Sequence, residues 1–496
     1  MARAWHGLPL TLALLPLAAP PLLAPLRVQA QQAREPQLRV LLQEGPTATV
    51  APLAGSGLRV RDRQGRVLQD LPSAAPLQVR QQGRWVELRL ASSGAPAAAD
   101  GQVDPASGPA AESGAAPLAT SGSPTAVSPA AVLAGPELWI EPLPAGPQAG
   151  LALNQRRYRG RLQVLPLGSG VQVINHVPLE TYLASVVGSE MPASWPQQAL
   201  RAQAVAARTY ALKGRKPAAA YDLKATVASQ VYRGIEAETP STREAVAATR
   251  GLVLTYGSGL IDAVFHSSSG GNTESSGDLW SQQLPYLVSV PDFDQESPVA
   301  QWRQPLPADL LVRAFAEIGG VRSIEVVATT PTGRVRQARV VGPSGQLLLS
   351  GAALRSRLGL KSTWVRFELE VPDPPVSLAA SGATPAPLPP PPLPAFSLPA
   401  AGFEAALEPA APIPLPQWVA VGRGFGHGIG MSQWGALAMA RRGDSFSAIL
   451  SHYYRGTQLR PYGELAVAAT PGPGSWPAQA GDRDAQVVAS GPRPQP

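Results

Sequence analysis

A carboxylate at the predicted C-terminal end of a helix is the first feature of this sequence that suggests chemistry. Glu190 stands in VVGSEMPASWP, directly before Met191 and Pro192, and apolar residues from Leu179 to Val187 recur before it at offsets 0, 3, 4, 7 and 8. Glu190 continues that helical face at offset 11, and Pro192 stops the helix. Partial desolvation and the negative end of the helix dipole both raise the pKa of such a carboxyl, as a general acid requires. A solvated glutamate at a frayed helix end is the alternative, and periodicity leaves both open.

Arg208 is a second candidate, because it falls on an apolar face of the next predicted helix. That helix begins near Pro196 and runs through QQALRAQAVAARTYALKG, where alanines permit close packing. A guanidinium on such a face needs a partner, which is either a carboxylate in a structural ion pair or a polar substrate. A close pair with Glu190 would lower the pKa of that carboxyl and oppose an acid role. We therefore expect Arg208 to contact a substrate or to support the residues that do.

Other catalytic patterns are missing from the sequence. The histidines form no H-E-x-x-H zinc motif, and HSSSGG at 266–271 is not the G-x-S-x-G elbow of a serine hydrolase. The glycines at 422, 424, 426, 428 and 430 alternate, unlike the G-x-G-x-x-G of a dinucleotide site.

Composition limits the class of protein further. The 496 residues include 55 prolines and 48 glycines but only 15% charged residues, which predicts ordered domains separated by low-complexity linkers. The net charge of +7 suits a polyanionic neighbour, while no basic run with interleaved aromatics indicates nucleic acid. The absence of cysteine excludes disulfides, thiolate zinc sites and thiol nucleophiles.

Hydrophobic patterning divides the chain into β-rich segments, a few helices and Pro-rich linkers. An apolar start that ends in VQA predicts a secretory signal peptide over residues 1–30, and its prolines argue against a spanning helix. After it we predict an N-terminal β unit (36–92), a disordered Ala/Pro/Ser-rich insertion (93–135), the first part of a catalytic domain (136–371), a Pro-rich linker (372–416), the C-terminal part of that domain (417–465) and a disordered tail (466–496). The expected fold class is α+β, in which β-rich segments carry a small helical layer that forms a substrate groove.

Several motifs, in the same order along the chain, resemble the stage II sporulation protein D and amidase-enhancer family. They are VPLETYLASVVGSEMPASWPQQALRAQAVAARTYAL, ASQVYRG, FHSSSGGNTESSGDLW, PYLVSVPD, LGLKSTW, and GRGFGHGIGMSQWGALAMARRG with ILSHYYRGT. The resemblance covers roughly residues 36–92 and 136–465, interrupted by the two linkers.

This resemblance implies a secreted peptidoglycan lytic transglycosylase that acts on glycan strands without stem peptides, beside an amidase that removes those peptides. Glu190 matches the glutamate that serves such an enzyme as its single acid and base, giving 1,6-anhydro-muramic acid ends. A hydrolase would need a second carboxylate; Asp262, Glu274 and Asp278 are available, but we interpret them as turn or surface residues. The resemblance also implies a group of substrate-groove residues, namely Arg208, Gln230, Tyr232, His266 and Ser269.

The alternating glycine segment has two interpretations. It is either a strand pressed against another backbone or a floor on which a sugar lies close to the chain. His427 within it is accordingly a structural or a substrate-contacting residue, and Gln433 is a further substrate-binding candidate. Some family members hold zinc with a histidine near the position of His266 and two cysteines. Because this chain lacks cysteine, we expect no such metal and no cofactor.

Two other functions remain open at this level. A non-catalytic wall-binding protein that enhances an N-acetylmuramoyl-L-alanine amidase would not need Glu190, and an envelope scaffold would use the linkers to reach partners. In every case we expect secretion to the periplasm or cell envelope. The expected partners are peptidoglycan glycan strands and a cell-wall amidase, with no nucleic acid and no transmembrane helix after signal cleavage.

Overall fold

The computed structural model describes residue 1 and residues 35–72, 76–90, 133–370, 416–465 and 486–488. The predicted signal peptide beyond residue 1, most of the predicted insertion, nearly all of the Pro-rich linker and most of the predicted tail lie outside the described residues. The described ranges mix helices with many strands, which agrees with the predicted α+β class. None of the helices in these ranges has the length and apolar character needed to cross a membrane.

The strands that precede the first helix form two sheets. They are β1 (Gln37–Gly45), β2 (Thr47–Pro52), β3 (Gly57–Asp62), β4 (Val67–Leu71), β5 (Leu77–Gln82), β6 (Trp85–Leu90), β7 (Leu133–Gly135), β8 (Leu138–Leu143), β9 (Gly150–Leu153), β10 (Arg156–Arg159), β11 (Arg161–Pro166) and β12 (Val171–Pro178). One sheet contains β1, β12, β11, β8, β3 and β4 in that spatial order, and the other runs β10-β9-β2-β5-β6-β7.

The strands of the predicted N-terminal unit pair with strands beyond the insertion. β1 runs antiparallel along β12, and β3 runs antiparallel to β8. β7, which falls at the end of the predicted insertion, pairs with β6. The structure therefore joins segments that the sequence prediction kept apart. Alternation of apolar and polar residues identifies a strand but not its pairing partner. A long connection between two strands adds little to the entropic cost of pairing them.

The first two α-helices are the two predicted around Glu190 and Arg208. The α-helices of the described ranges are α1 (Leu179–Glu190), α2 (Gln197–Lys213), α3 (Pro240–Ala248), α4 (Ser276–Leu279), α5 (Ala308–Ala314), α6 (Gly351–Leu358), α7 (Gln433–Arg441) and α8 (Phe446–Tyr453). Short 3₁₀ helices occupy Gly234–Ala237, Ala316–Ile318 and Tyr462–Glu464.

Helix α1 is buried on nearly every side. The predicted apolar face is fully buried, and Glu180, Ala184 and Ser185 beside it are buried as well. Met191 is extended (φ −132°, ψ 143°), so the helix ends before Pro192 as predicted. A helix that is buried all round presents side chains to solvent mainly at its ends, which is where Glu190 lies.

The remaining strands belong to smaller sheets, apart from one that joins the first sheet. They are β13 (Leu223–Lys224), β14 (Leu252–Tyr256), β15 (Gly259–Leu260), β16 (Phe265–His266), β17 (Gln301–Leu306), β18 (Ser323–Thr329), β19 (Val335–Gly342), β20 (Gly345–Ser350), β21 (Val365–Glu370), β22 (Gln417–Arg423), β23 (Met431–Ser432), β24 (Gln458–Pro461) and β25 (Gln486–Val488). β13 pairs with β1. The β14–β15 hairpin lies where two apolar runs flank Gly257-Ser258-Gly259, and the β18–β19–β20 meander lies where strand-like runs alternate with glycine-centred turns, so both agree with the sequence pattern. β25 is a strand inside the predicted tail.

Two hydrophobic cores result from this arrangement. The main core joins the two N-terminal sheets to α1, α2, α3, α7 and α8. The second core is formed by residues of β17–β20, α5 and α6, together with Val365 and Ala420. After β22 the chain returns from the second core to the main one through residues 424–430. This return places α7 against α2 and brings its first residue, Gln433, to the end of α1.

Candidate active site

The carboxyl group of Glu190 lies where three separate segments of the main core meet. Its Oε1 accepts a hydrogen bond from the backbone N–H of Val231 at 3.0 Å, and its Oε2 accepts one from the side-chain amide of Gln433 at 3.4 Å. Glu190 is the last residue of α1, Val231 lies in the loop after β13, and Gln433 is the first residue of α7. Elements far apart in sequence therefore hold the two oxygens of a carboxyl group presented by α1.

Burial raises the pKa of Glu190 above its usual value. The hydrogen bonds from Val231 and Gln433 and the positive charge of Arg233 act in the opposite direction, but more weakly. The position at the C-terminal end of α1 adds to the effect of burial, because the last carbonyl groups of a helix carry partial negative charge. The environment therefore favours the protonated form that a general acid needs.

Arg208 pairs with Glu180 and not with Glu190. Its guanidinium is 0% exposed and donates to the Glu180 carboxylate from Nε at 2.9 Å and from Nη2 at 2.6 Å. It also donates to the carbonyl groups of Val246 and Leu252, which ties α1 and α2 to α3 and β14. Of the two alternatives for Arg208, the structure shows the structural ion pair. It does not show the expected substrate contact, because a side chain without exposed area cannot touch a ligand.

Gln230 and Tyr232 flank Val231 and make internal contacts. They are 1% and 2% exposed. The Tyr182 hydroxyl donates to Gln230 at 3.1 Å, and the Tyr232 hydroxyl donates to Asn175 at 3.0 Å. The structure thus places these two predicted groove residues behind the site, where they clamp the loop that presents the Val231 N–H.

His266 and Ser269 are also turned inward. The ring of His266 is 5% exposed and donates from Nδ1 to the carbonyl of Ile429 at 3.2 Å. Ser269 donates its hydroxyl to Asp292, which also accepts a hydrogen bond from the Tyr453 hydroxyl at 2.6 Å. These bonds hold the 266–271 segment against the chain that enters α7 and against α8.

The glycine-rich segment 424–430 presses against the backbone of residues 264–274. β16 and β23 pair in parallel, and a Cβ atom at Gly430 (φ +72°) would lie 2.2 Å from the carbonyl oxygen of Val264. Only glycine permits so close an approach at a positive φ. The geometry matches the first interpretation of this segment, a strand against another backbone.

His427, in the same segment, uses both ring nitrogens internally. The Ile429 N–H donates to Nδ1 at 3.0 Å, so Nε2 carries the proton and donates to the carbonyl of Phe265 at 3.0 Å. Burial lowers the pKa of His427 to about 4. A neutral ring with both nitrogens occupied fits the structural interpretation of this residue.

The surroundings of Glu190 include residues that sequence reasoning missed. Burial, with smaller contributions from the charges of Asp262 and Glu190, raises the pKa of Tyr210 to about 12, so this phenol stays neutral. Arg233 acts on Glu190 from the Val231 loop. The Val231 donor is a backbone N–H, so the identity of the residue gives no sign of it. Arg233, two positions later, could have been identified as a nearby cation in SQVYRG.

Of the carboxylates considered as second catalytic groups, Asp262 and Glu274 are engaged elsewhere. Asp262 accepts a hydrogen bond from the Tyr286 hydroxyl at 3.0 Å. Glu274 is 0% exposed and accepts one from Thr330 at 2.6 Å, so its interpretation as a turn or surface residue is wrong. Asp278 lies in α4. Among the described residues, no three His, Asp or Glu side chains are grouped so that they could hold a metal ion.

Comparison with known proteins shows which family and which relatives this chain resembles. Residues 168–256 match the model of the family described as stage II sporulation protein (SpoIID), a range that contains Glu190, Arg208, Gln230 and Tyr232. The chain is 29% identical over 308 residues to stage II sporulation protein D of Bacillus subtilis (strain 168), with 58% of this chain and 76% of that protein covered. It is 29% identical over 314 residues to the protein of the same name from Bacillus amyloliquefaciens, with 58% and 75% covered.

A further relative carries a different name. The chain is 31% identical over 312 residues to the amidase enhancer of Bacillus subtilis (strain 168). The match covers 56% of this chain but 40% of the amidase enhancer, so it spans less than half of that protein. The resemblance seen in the sequence motifs is confirmed by these relatives.

Proposed function

We propose that this chain, whose residues 168–256 match the model of the stage II sporulation protein (SpoIID) family, is a peptidoglycan lytic transglycosylase with Glu190 as its single acid and base. The proposed substrate is the glycosidic bond between N-acetylmuramic acid and N-acetylglucosamine in glycan strands without stem peptides. The observation that carries the proposal is the environment of Glu190, a partly buried carboxyl of raised pKa held by donors from two other segments.

The two oxygens of Glu190 have different surroundings, which supports a division of labour. Oε1 accepts the shorter hydrogen bond, 3.0 Å from a backbone N–H that cannot reverse its direction. Oε2 faces the side-chain amide of Gln433 at 3.4 Å, and an amide can offer either its N–H or its oxygen after a flip. Oε2 is therefore the oxygen that carries and delivers the proton, while Oε1 stays anchored.

In the proposed reaction, the Glu190 carboxyl donates its proton to the glycosidic oxygen, and the bond from that oxygen to C1 of the muramic acid breaks. N-acetylglucosamine leaves with a free 4-hydroxyl. The resulting carboxylate then removes the proton of the muramic acid 6-hydroxyl, whose oxygen bonds to C1. The products are a shortened strand and a 1,6-anhydro end, no water is consumed, and Glu190 regains its proton. Desolvation favours the acid in the first step, and the Val231 and Gln433 donors stabilise the carboxylate between the steps.

A digest of denuded peptidoglycan, analysed by mass spectrometry, tests this function. The full chain should release anhydro-ended fragments, and Glu190→Gln should release none while keeping its thermal unfolding midpoint. Glu464→Gln, at an exposed position, is the matched control and should retain full activity. Hydrated reducing ends, or anhydro ends formed equally well by Glu190→Gln, would overturn the proposal.

The amidase-enhancer relative favours a second candidate, a wall-binding protein that stimulates an N-acetylmuramoyl-L-alanine amidase without cleaving glycan itself. Glu190→Gln separates the two, because a binding protein keeps its effect on the amidase when this carboxyl is lost. For either function we propose secretion to the periplasm or cell envelope, where glycan strands and a cell-wall amidase are the partners.

A further inference from the structure

Two tryptophans connect the same two segments that Glu190 and Gln433 connect. Trp195 follows the turn after α1, where its backbone N–H donates to the Pro192 carbonyl at 3.0 Å. Trp434 is the second residue of α7. Their ring centroids are 5.2 Å apart with an interplanar angle of 68°. Residues 190–195 and 433–434 are thus joined twice, once through the carboxyl group of Glu190 and once through this ring pair.

The pair is incompletely buried. Both rings are partly exposed. Trp195 packs on the main core, whereas Trp434 is not among the residues packed on either core. An edge-to-face pair leaves at least one face of each ring uncovered by its partner. In the described part of the chain, neither indole N–H has a hydrogen-bond partner.

The backbone of Trp434 is nevertheless fixed. Its N–H donates to the carbonyl of Ser267 at 3.0 Å, and the following residue, Gly435, is packed against Asp292 and Tyr453 without room for a Cβ atom. A large ring on a rigid helix start, open to solvent and linked to the candidate acid through Gln433, has the form of a preorganised contact site.

We propose that Trp434, backed by Trp195, is a stacking subsite for one N-acetylhexosamine ring of a β-linked glycan beside Glu190; this deepens the proposed function and rests on it. The axial C–H groups of a pyranose form an apolar face that packs on an indole ring, and the free indole N–H offers a donor to a hydroxyl or acetamido oxygen. The subsite positions the strand, so that the glycosidic oxygen meets Oε2 of Glu190.

Binding is measured in the Glu190→Gln background of the full chain, which prevents turnover. Isothermal titration with the β-1,4-linked N-acetylglucosamine hexamer gives the Kd. Trp434→Leu, which keeps an apolar contact with Trp195 but has no ring face, should weaken binding on the order of tenfold. Trp434→Phe should stay within about threefold of the parent, because a smaller ring still stacks. Trp85→Ala, at an exposed tryptophan of β6 (43% exposed), is the matched control and should leave the Kd unchanged.

The subsite is rejected if the parent does not bind the hexamer, if Trp434→Leu and Trp434→Phe bind equally well, or if Trp85→Ala loses as much affinity as Trp434→Leu. Thermal unfolding of each variant tests for a purely structural role of Trp434. In that case the loss of affinity follows the loss of stability, and Trp434→Phe binds no better than Trp434→Leu. Turnover is assayed separately. A chain that binds with the expected dependence on Trp434 but forms no anhydro ends retains the subsite and refutes the transglycosylase proposal.

Discussion

Gln433 donates its side-chain amide to Oε2 of Glu190 at 3.4 Å, across 243 positions of sequence. The contact joins the first residue of α7 to the last residue of α1. It brings a reversible hydrogen-bonding group to the oxygen that carries the proton in the proposed reaction. This contact therefore helps to orient the carboxyl group of the candidate acid, and it lowers a pKa that burial raises.

Replacement of Gln433 tests this contact. Gln433→Ala should lower kcat on denuded peptidoglycan on the order of tenfold, since a hydrogen bond to a charged group contributes about 1.5–3 kcal/mol. It should also move the alkaline limb of the pH profile to higher pH, because the lost donor had lowered the pKa of Glu190. Gln458→Ala, on β24, is the control and should leave the profile unchanged. A limb that moves to lower pH would contradict the contact.

The pH dependence of the parent chain depends partly on Arg233. The reaction needs protonated Glu190, whose pKa is raised by burial, so kcat/KM should be full at low pH and fall as pH rises through that pKa. Arg233 lowers this pKa by its charge; Arg233→Gln should therefore move the limb to higher pH.

Salt provides the internal control for this charge effect. Arg233 is exposed, so high ionic strength should screen it and move the limb of the parent upward. The same salt should leave Arg233→Gln nearly unchanged, while Gln433→Ala should keep the salt response. An equal salt response in the parent and in Arg233→Gln would show that this residue does not act on Glu190.

The buried Arg208–Glu180 pair should determine stability and not substrate binding. Arg208→Met leaves the buried carboxylate of Glu180 without a positive charge and with the Gly251 N–H, at 3.3 Å, as its remaining donor, which should cost about 3–5 kcal/mol in urea unfolding. The double variant Arg208→Met/Glu180→Leu should recover most of that loss, because both charges are then removed. A large loss of activity in Arg208→Met with unchanged stability would instead support the substrate contact expected from the sequence.

Gly435 should tolerate no side chain despite its position in a helix. A Cβ atom there would lie 1.8 Å from Oδ1 of Asp292 and 2.0 Å from the hydroxyl of Tyr453. In an open helix, a change from glycine to alanine stabilises, but Gly435→Ala should destabilise by about 1–3 kcal/mol, because the helix start must shift. Gly463→Ala, where no atom lies within 4 Å of the added Cβ, should change the unfolding midpoint little. Equal midpoints for the two variants would contradict the close packing at Gly435.

Local pattern was sufficient for much of the fold. The spacing of apolar residues from Leu179 to Val187 and the proline at 192 determined α1 and its end, since helix periodicity and the missing proline N–H act within a few residues. The same holds for the β14–β15 hairpin, whose apolar runs flank Gly257-Ser258-Gly259, and for α6, whose sequence GAALRSRL has an amphipathic pattern. The sequence by itself also placed Glu190 at the end of a buried face.

Tertiary structure decided which groups meet. Two carboxylates of α1 could have paired with Arg208, and only packing showed that Glu180 turns toward α2 and α3 while Glu190 turns toward the loop of Val231. Four predicted groove residues, Gln230, Tyr232, His266 and Ser269, proved to be buried supports, because residue type does not indicate which way a polar side chain faces. The donor from Val231 is a backbone group that every residue except proline possesses. The Val231 N–H and the Gln433 amide reach Glu190 because packing of the cores brings distant segments of the chain together. No local sequence pattern encodes that approach.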